Sequence, residues 1–176
     1  MGCPKIACIA LIGKADNPLH ISMFTPYSDS ELDFSFLLNS CLDLLEVRQK
    51  QTSIDQDLGL LHAVDERFAA YGWQTTTGVK FLIIVDVVGE SMSAEMERVK
   101  DISVVGLGDS DLKPVFRAIQ TAYIQLLQNP FYCPDGQALG AKATISNPGG
   151  LQITNQKFVS EIQRIGNLWV PGLASI

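Results

Sequence analysis

The chain has 176 residues, and 47% of them are hydrophobic while only 18% are charged, against about 25% charged in an average soluble domain. Thirteen Lys and Arg against 19 Asp and Glu give a net charge of −6, which excludes a nucleic-acid binder that works by neutralising phosphates with clustered cations. So few charges leave little to keep a free surface wet, a first hint that partners cover part of it.

In chain order, Ile6 to Ile12 reads as a buried strand. At seven residues it is the longest apolar run, far below the roughly 20 that span a bilayer. Lys14, Asp16 and Asn17 stand where a signal peptide would need small residues. Met1-Gly2-Cys3 suggests acylation, but Ile6 stands where the myristoylation pattern needs Ser or Thr. His20 to Phe24 reads as a second strand, joined to the first by Asp16-Asn17-Pro18, strong turn chemistry that makes a hairpin. Ser28-x-x-Glu31 has the form of a capping box and opens a helix to about Lys50. Three strands follow, at Gly59 to Ala63, Phe68 to Thr75 and Lys80 to Val88, the last two split by the turn Thr76-Thr77-Gly78. Phe81 to Val85 has the unbroken apolar character of a central strand covered on both faces.

Residues 89–110 hold no steady period and are expected to form a long, mobile loop. A second helix is expected from Asp109–Asp111, with Pro114 in its first turn and an apolar face of Leu112, Val115, Phe116, Ile119, Tyr123, Leu126 and Leu127. Asn129-Pro130 stops it. Residues 134–153 read as a second mobile loop, with a possible hairpin at Asn147-Pro148-Gly149-Gly150. A last helix carries Phe158, Ile162, Ile165 and Trp169 on one side. The order ββαβββαα, with hairpins rather than strict strand–helix alternation, implies an α+β sandwich in a single domain over residues 1–176 and not a parallel nucleotide-binding fold.

Chemistry is sparse. Cys3, Cys8, Cys41 and Cys133 form no C-x-x-C pair, so no metal site is expected; scattered cysteines and the lack of an Asn-x-Ser/Thr sequon favour a reducing, cytoplasmic compartment. Cys8 and Cys41 read as small buried hydrophobes. His20 and His62 fall within strands, and Gly89-Glu90-Ser91-Met92-Ser93 misses the nucleophile-elbow pattern at its last position. Gly13-Lys14 lacks the rest of a phosphate loop, Gly106-x-Gly108 follows no clear strand, and Asp109 with Asp111 lacks the remainder of a calcium loop. No catalytic residue and no cofactor is assigned.

One anomaly stands out, in the first helix. At about 100° per residue, Phe34, Leu37, Leu38, Cys41, Leu42 and Leu45 share the face that must pack on the sheet. Leu32, Phe36 and Val47 align on the opposite face, where polar groups belong, with Ser40 and Asp43 between them. These five residues are the candidate partner interface; the competing explanations are that the last helix or the 134–153 loop folds over them, or that scattered surface apolars simply occur.

Asp16-Asn17-Pro18-Leu19 after an apolar strand, Ser40-Cys41-Leu42-Asp43-Leu44-Leu45-Glu46, and Asn129-Pro130-Phe131-Tyr132 after the second helix together resemble the sedlin group of TRAPP subunits. Leu58-Gly59-Leu60-Leu61, Tyr71-Gly72, and Val79-Lys80-Phe81 with Val85-Asp86 resemble one branch of that group more than sedlin itself. The likeness runs from about Cys8 to Tyr132 and resumes near Phe158; residues 1–5, 89–110 and 134–153 depart from it. It implies a longin-like (SNARE-like) fold, a five-stranded antiparallel sheet with one helix on one face and two on the other. It also implies a non-enzymatic subunit of complexes that tether vesicles in ER–Golgi and Golgi traffic and catalyse exchange on Rab GTPases. The expected partners are other TRAPP subunits and, indirectly, a Rab, with membrane contact only through the complex. An Asp at the position of Asp43 is linked to subunit contact in the family. The alternatives are a stand-alone longin-type regulator of SNARE or adaptor assembly, for which a coiled-coil heptad is missing from these residues, and a small hydrolase or ligand-binding protein with a polar pocket at His20 or His62. Asn129-Pro130-Phe131-Tyr132 also has the form of an endocytic sorting signal, but at a helix end it is expected to act as a stop, with Phe131 and Tyr132 packing back.

Overall fold

The computed structural model describes residues 3–51, 57–64, 67–89, 109–132 and 152–172. The strands are β1 (Lys5–Ile12), β2 (Pro18–Met23), β3 (Asp57–Ala63), β4 (Phe68–Gln74) and β5 (Lys80–Asp86). The helices are α1 (Glu31–Gln51), α2 (Lys113–Leu127) and α3 (Gln156–Leu168), with 3-10 turns at Tyr27–Asp29 and Asp109–Leu112. The strands form one antiparallel sheet in the order β2-β1-β5-β4-β3. The element order and sheet are those the sequence and the family resemblance imply.

All of β5 is buried, as expected of the middle strand of a sheet covered on both sides. Its side chains alternate: Phe81, Ile83 and Val85 enter one core with α2 and α3, while Leu82 and Ile84 enter the other with α1. The α1 side of the sheet is built from small groups, Ala7, Cys8, Ala10 and Ala70, and Phe34, Leu38, Cys41 and Leu45 of the helix pack there. The other face carries Ile9, Leu11, Tyr71 and Trp73, bulk that meets Val115, Phe116, Ile119 and Tyr123 of α2 and Phe158, Ile162 and Ile165 of α3. Trp73 stacks on Phe116 at 5.5 Å between ring centroids. Ile6 lies on the same side as Ile9 because the β1–β5 register shifts between Ile6 and Cys8, a bulge that period-2 reading cannot see.

Local devices fix the ends. Asp16 takes a left-handed backbone (φ 59°) in the β1–β2 turn, closed by the Gly13 N–H donating to the Asn17 carbonyl at 2.8 Å. The Thr75 hydroxyl donates to the Val79 carbonyl and accepts from the Val79 N–H, both at 3.0 Å, which closes the β4–β5 turn. Asn155 caps α3, its Oδ1 accepting from the N–H groups of Lys157 and Phe158. The Ile153 N–H donates to the Leu19 carbonyl, so the segment before α3 covers the outer edge of β2.

The structure corrects several details. Ser28 lies inside the 3-10 turn rather than at the cap; α1 begins at Glu31, with the Phe34 N–H on the Ser30 carbonyl. Asp109–Asp111 likewise belong to a 3-10 turn, and Leu112 is the N-cap of α2, without a side-chain cap bond. Pro114 does sit in the first turn of α2. Leu127, expected on the apolar face of α2, is exposed. After α2, Tyr132 packs on the core but Phe131 does not, being 91% exposed; the Asn129 side chain accepts the Phe131 N–H and turns that ring outward. The expected loops at 89–110 and 134–153, with the 147–150 hairpin, lie outside the described residues except at their ends, as do Gly106, Gly108 and Cys133.

Candidate protein-interaction surface

The outer side of α1 is shaped by what its inner side does. Phe34, Leu38, Cys41 and Leu45 are consumed by the sheet, and Leu37 and Leu42 shield the flanks. The residues half a turn away therefore face outward. Leu32 is 75% exposed, Phe36 71% and Val47 52%; Ser40 and Asp43 between them are exposed as well. The five lie at steps of four, four, three and four residues, so they form one unbroken ridge about 22 Å long at 1.5 Å per residue. No described residue of α3 folds over the ridge; that helix packs on the opposite face of the sheet.

The ridge is held in place at both ends. Tyr27, in the 3-10 turn before α1, donates its hydroxyl to Asp86 Oδ2. The same oxygen accepts from Arg67 Nε (3.3 Å) and Nη2 (3.2 Å), and Oδ1 accepts the Val88 and Gly89 N–H groups at 3.1 and 3.0 Å. Arg67 lies over the rings of Tyr27 and Phe68, and Tyr27, Phe34 and Phe68 meet edge to face. Burial pushes Asp86 up, but the Tyr27 hydroxyl, the Gly89 N–H and Arg67 outweigh it and hold the carboxyl below its ordinary value. Burial and the neighbouring Asp86 raise Tyr27, which keeps it a donor. At the other end Arg48 donates to the Leu58 carbonyl at 2.9 Å, pinning the last turns of α1 to β3.

Beside the ridge is an open hollow of about 450 Å³ lined by Asp16, Phe36, Asn39, Ser40, Leu42, Asp43 and Glu46. Asp16 reaches it from the β1–β2 turn, where it pairs with the nearly buried Lys80. The Ser40 hydroxyl is turned onto the Phe36 carbonyl at 3.1 Å, as short side chains on helices commonly are. The structure brings all five expected interface residues together and adds Asp16, Asn39 and Glu46. Asn39 and Glu46 could have been placed from helical spacing; Asp16 could not, since only the fold carries that turn to α1.

The remaining candidates lie elsewhere. The His20 ring, on β2, is within 2.7 Å of the Ser22 hydroxyl and edge-on to Phe158, and burial lowers its pKa. Ser22 is only 3% exposed, while His20 itself is half-buried. His62 is exposed on β3. Cys8 and Cys41 are buried in the α1-side core, and burial pushes their thiols up to about 12 and about 11. Among the described residues no group of three or more His, Cys, Asp and Glu is placed to hold a metal, and no helix is long and apolar enough to cross a membrane.

Comparison with family models matches residues 11–167 to the family described as Sedlin. Among curated proteins, the trafficking protein particle complex subunit 2-like protein of Dictyostelium discoideum is 31% identical over 143 residues, covering 78% of this chain and 90% of that protein. The protein of the same name from Mus musculus is 31% identical over 133 residues, 72% of this chain and 83% of that one. The one from Xenopus tropicalis is 29% identical over the same shares.

Proposed function

The chain belongs to the sedlin family, and from that premise we propose that it is a non-enzymatic subunit of a TRAPP vesicle-tethering assembly, acting by protein–protein contact through the outer face of α1. The relatives carry the complex in their names, which supports a role in trafficking and other TRAPP subunits as partners. The observation that carries the reading is the ridge of Leu32, Phe36, Ser40, Asp43 and Val47, exposed on a helix whose other side is fully engaged with the sheet. Covering Leu32, Phe36 and Val47 would stabilise a contact by about 1.5–3 kcal/mol for each side chain fully buried, before the cost of association. A rigid sheet-backed helix suits such a role, because little order has to be gained on binding. Within the assembly the chain would serve ER–Golgi and Golgi traffic, with Rab exchange built by neighbouring subunits and membrane contact made only through the complex.

The test is affinity purification of the tagged chain from its own cells, with mass spectrometry of the proteins that co-purify. The reading expects TRAPP subunits in near-equal amounts with the chain, and far less of them with Phe36→Asp. Recovery of the chain alone, or with SNARE or adaptor subunits instead, overturns it.

A further inference from the structure

The hollow beside Phe36 narrows down what the partner must present. Three carboxylates line it, Asp16, Asp43 and Glu46, and among the described residues the only cation paired with any of them is Lys80, on Asp16. From Glu31 to Val47 the helix carries Glu31, Asp33, Asp43 and Glu46 and no Lys or Arg. Its cations, Arg48 and Lys50, come only in the last turn, where they suit the helix C-terminus, and Arg48 is committed to the Leu58 carbonyl. An apolar ridge thus runs beside a net acidic field, in which Lys80 answers Asp16 and, among the described residues, no cation answers Asp43 or Glu46.

We infer that this hollow receives a cationic side chain, arginine or lysine, projecting from an apolar segment of the partner protein that lies along Leu32, Phe36 and Val47. The inference rests on the reading of α1 as the subunit contact and names the chemistry that face selects. Carboxylates of Asp43 and Glu46 would accept the cation's donors, with the Asn39 side chain beside them, while Phe36 gives an aromatic wall of the kind that favours guanidinium and ammonium groups. A second copy of the chain is disfavoured as the occupant. A second copy would bring its own Asp43 and Glu46 to the hollow, and the bases it could offer from α1, Arg48 and Lys50, stand in the last turn, with Arg48 bound to the Leu58 carbonyl. Anionic lipid and nucleic acid are repelled by the same field.

The test compares assemblies purified through the tagged chain as wild type, Phe36→Asp, the size-conserving double variant Asp43→Asn with Glu46→Gln, and Asp43→Lys. All three positions are exposed, so circular dichroism and melting should coincide with wild type and certify the fold. Partner retention is measured from low to high salt. The expected result is release from the wild type as salt rises. The neutral double variant should bind about tenfold more weakly at low salt with a flatter salt dependence, and Asp43→Lys should bind more weakly still. If the double variant matches wild type in retention and salt dependence while Phe36→Asp releases the partner, the cation is refuted and the α1 contact stands. If Phe36→Asp retains its partner, the contact itself fails, and the inference with it. Sedimentation showing a wild-type dimer that Phe36→Asp abolishes would make a second copy the occupant and overturn the inference.

Discussion

Asp86→Asn tests the clasp that aims α1. The side chain of Asp86 is 2% exposed, and its two oxygens receive the Tyr27 hydroxyl, Arg67 and the N–H groups of Val88 and Gly89. Asparagine keeps the size but has one oxygen, so its NH2 must face either Tyr27 and Arg67 or the two backbone donors. With the oxygen left to the backbone pair, the buried loss is the Tyr27 bond to a charged acceptor, worth about 1.5–3 kcal/mol, with the amide NH2 set against the Arg67 donors. Arg67 is half exposed, so its share is screened by water and adds little. The expected destabilisation is about 2–4 kcal/mol at neutral pH, read from urea unfolding followed by far-ultraviolet circular dichroism. The sign of the pH dependence follows from the folded carboxyl lying below its ordinary 3.8. Its stabilisation is present above the unfolded value and is lost as pH falls through the folded one, so the gap between wild type and variant should close in acid. A gap below about 0.5 kcal/mol at neutral pH, within the range of ordinary surface substitutions, would refute the clasp. So would a gap that persists unchanged in strong acid.

Further outcomes follow from the packing. Gly166→Ala sets a methyl well inside contact distance of Cζ of the buried Phe24 ring; the overpacking outweighs the gain in helix propensity, and a net loss of about 1–2 kcal/mol should appear in thermal melts. Phe116→Ala removes a ring that is 1% exposed and stacked on Trp73. It should cost about 3–5 kcal/mol and shift Trp73 emission to the red. In native protein a thiol reagent mapped by mass spectrometry should label the exposed Cys3 promptly, and Cys8 and Cys41 only on unfolding, because buried thiols held at about 12 and about 11 carry almost no thiolate at neutral pH.

What the sequence shows and what it hides divide along local and tertiary lines. The unbroken apolar run of β5 announces a strand covered on both faces, and the 3.6-residue spacing of Phe34, Leu38, Cys41 and Leu45 gives the buried side of α1. The ridge was legible for the same reason, since once one side of a helix is fixed, Leu32, Phe36 and Val47 can only lie on the other. Ile6 was not legible, because a one-residue bulge reverses its side without a mark in composition. Nor was the exposure of Phe131, decided by one Asn129 bond that turns the chain after α2. The clasp joins Tyr27, Arg67 and Asp86 across 59 positions of chain, and the hollow needs Asp16 from a turn. The clasp needs the β4–β5 pairing that sets Arg67 beside Asp86, and the hollow needs α1 packed on the sheet that carries the β1–β2 turn.

The most direct measurement of the central claim is hydroxyl-radical footprinting of the free chain and of the assembly purified through it. Phe36 and Phe131 are both well exposed in the free chain and should label readily there. If α1 is the contact, labelling at Leu32 and Phe36 falls severalfold in the assembly relative to the free chain. Labelling of Leu32 and Phe36 that is unchanged in an intact assembly would contradict it.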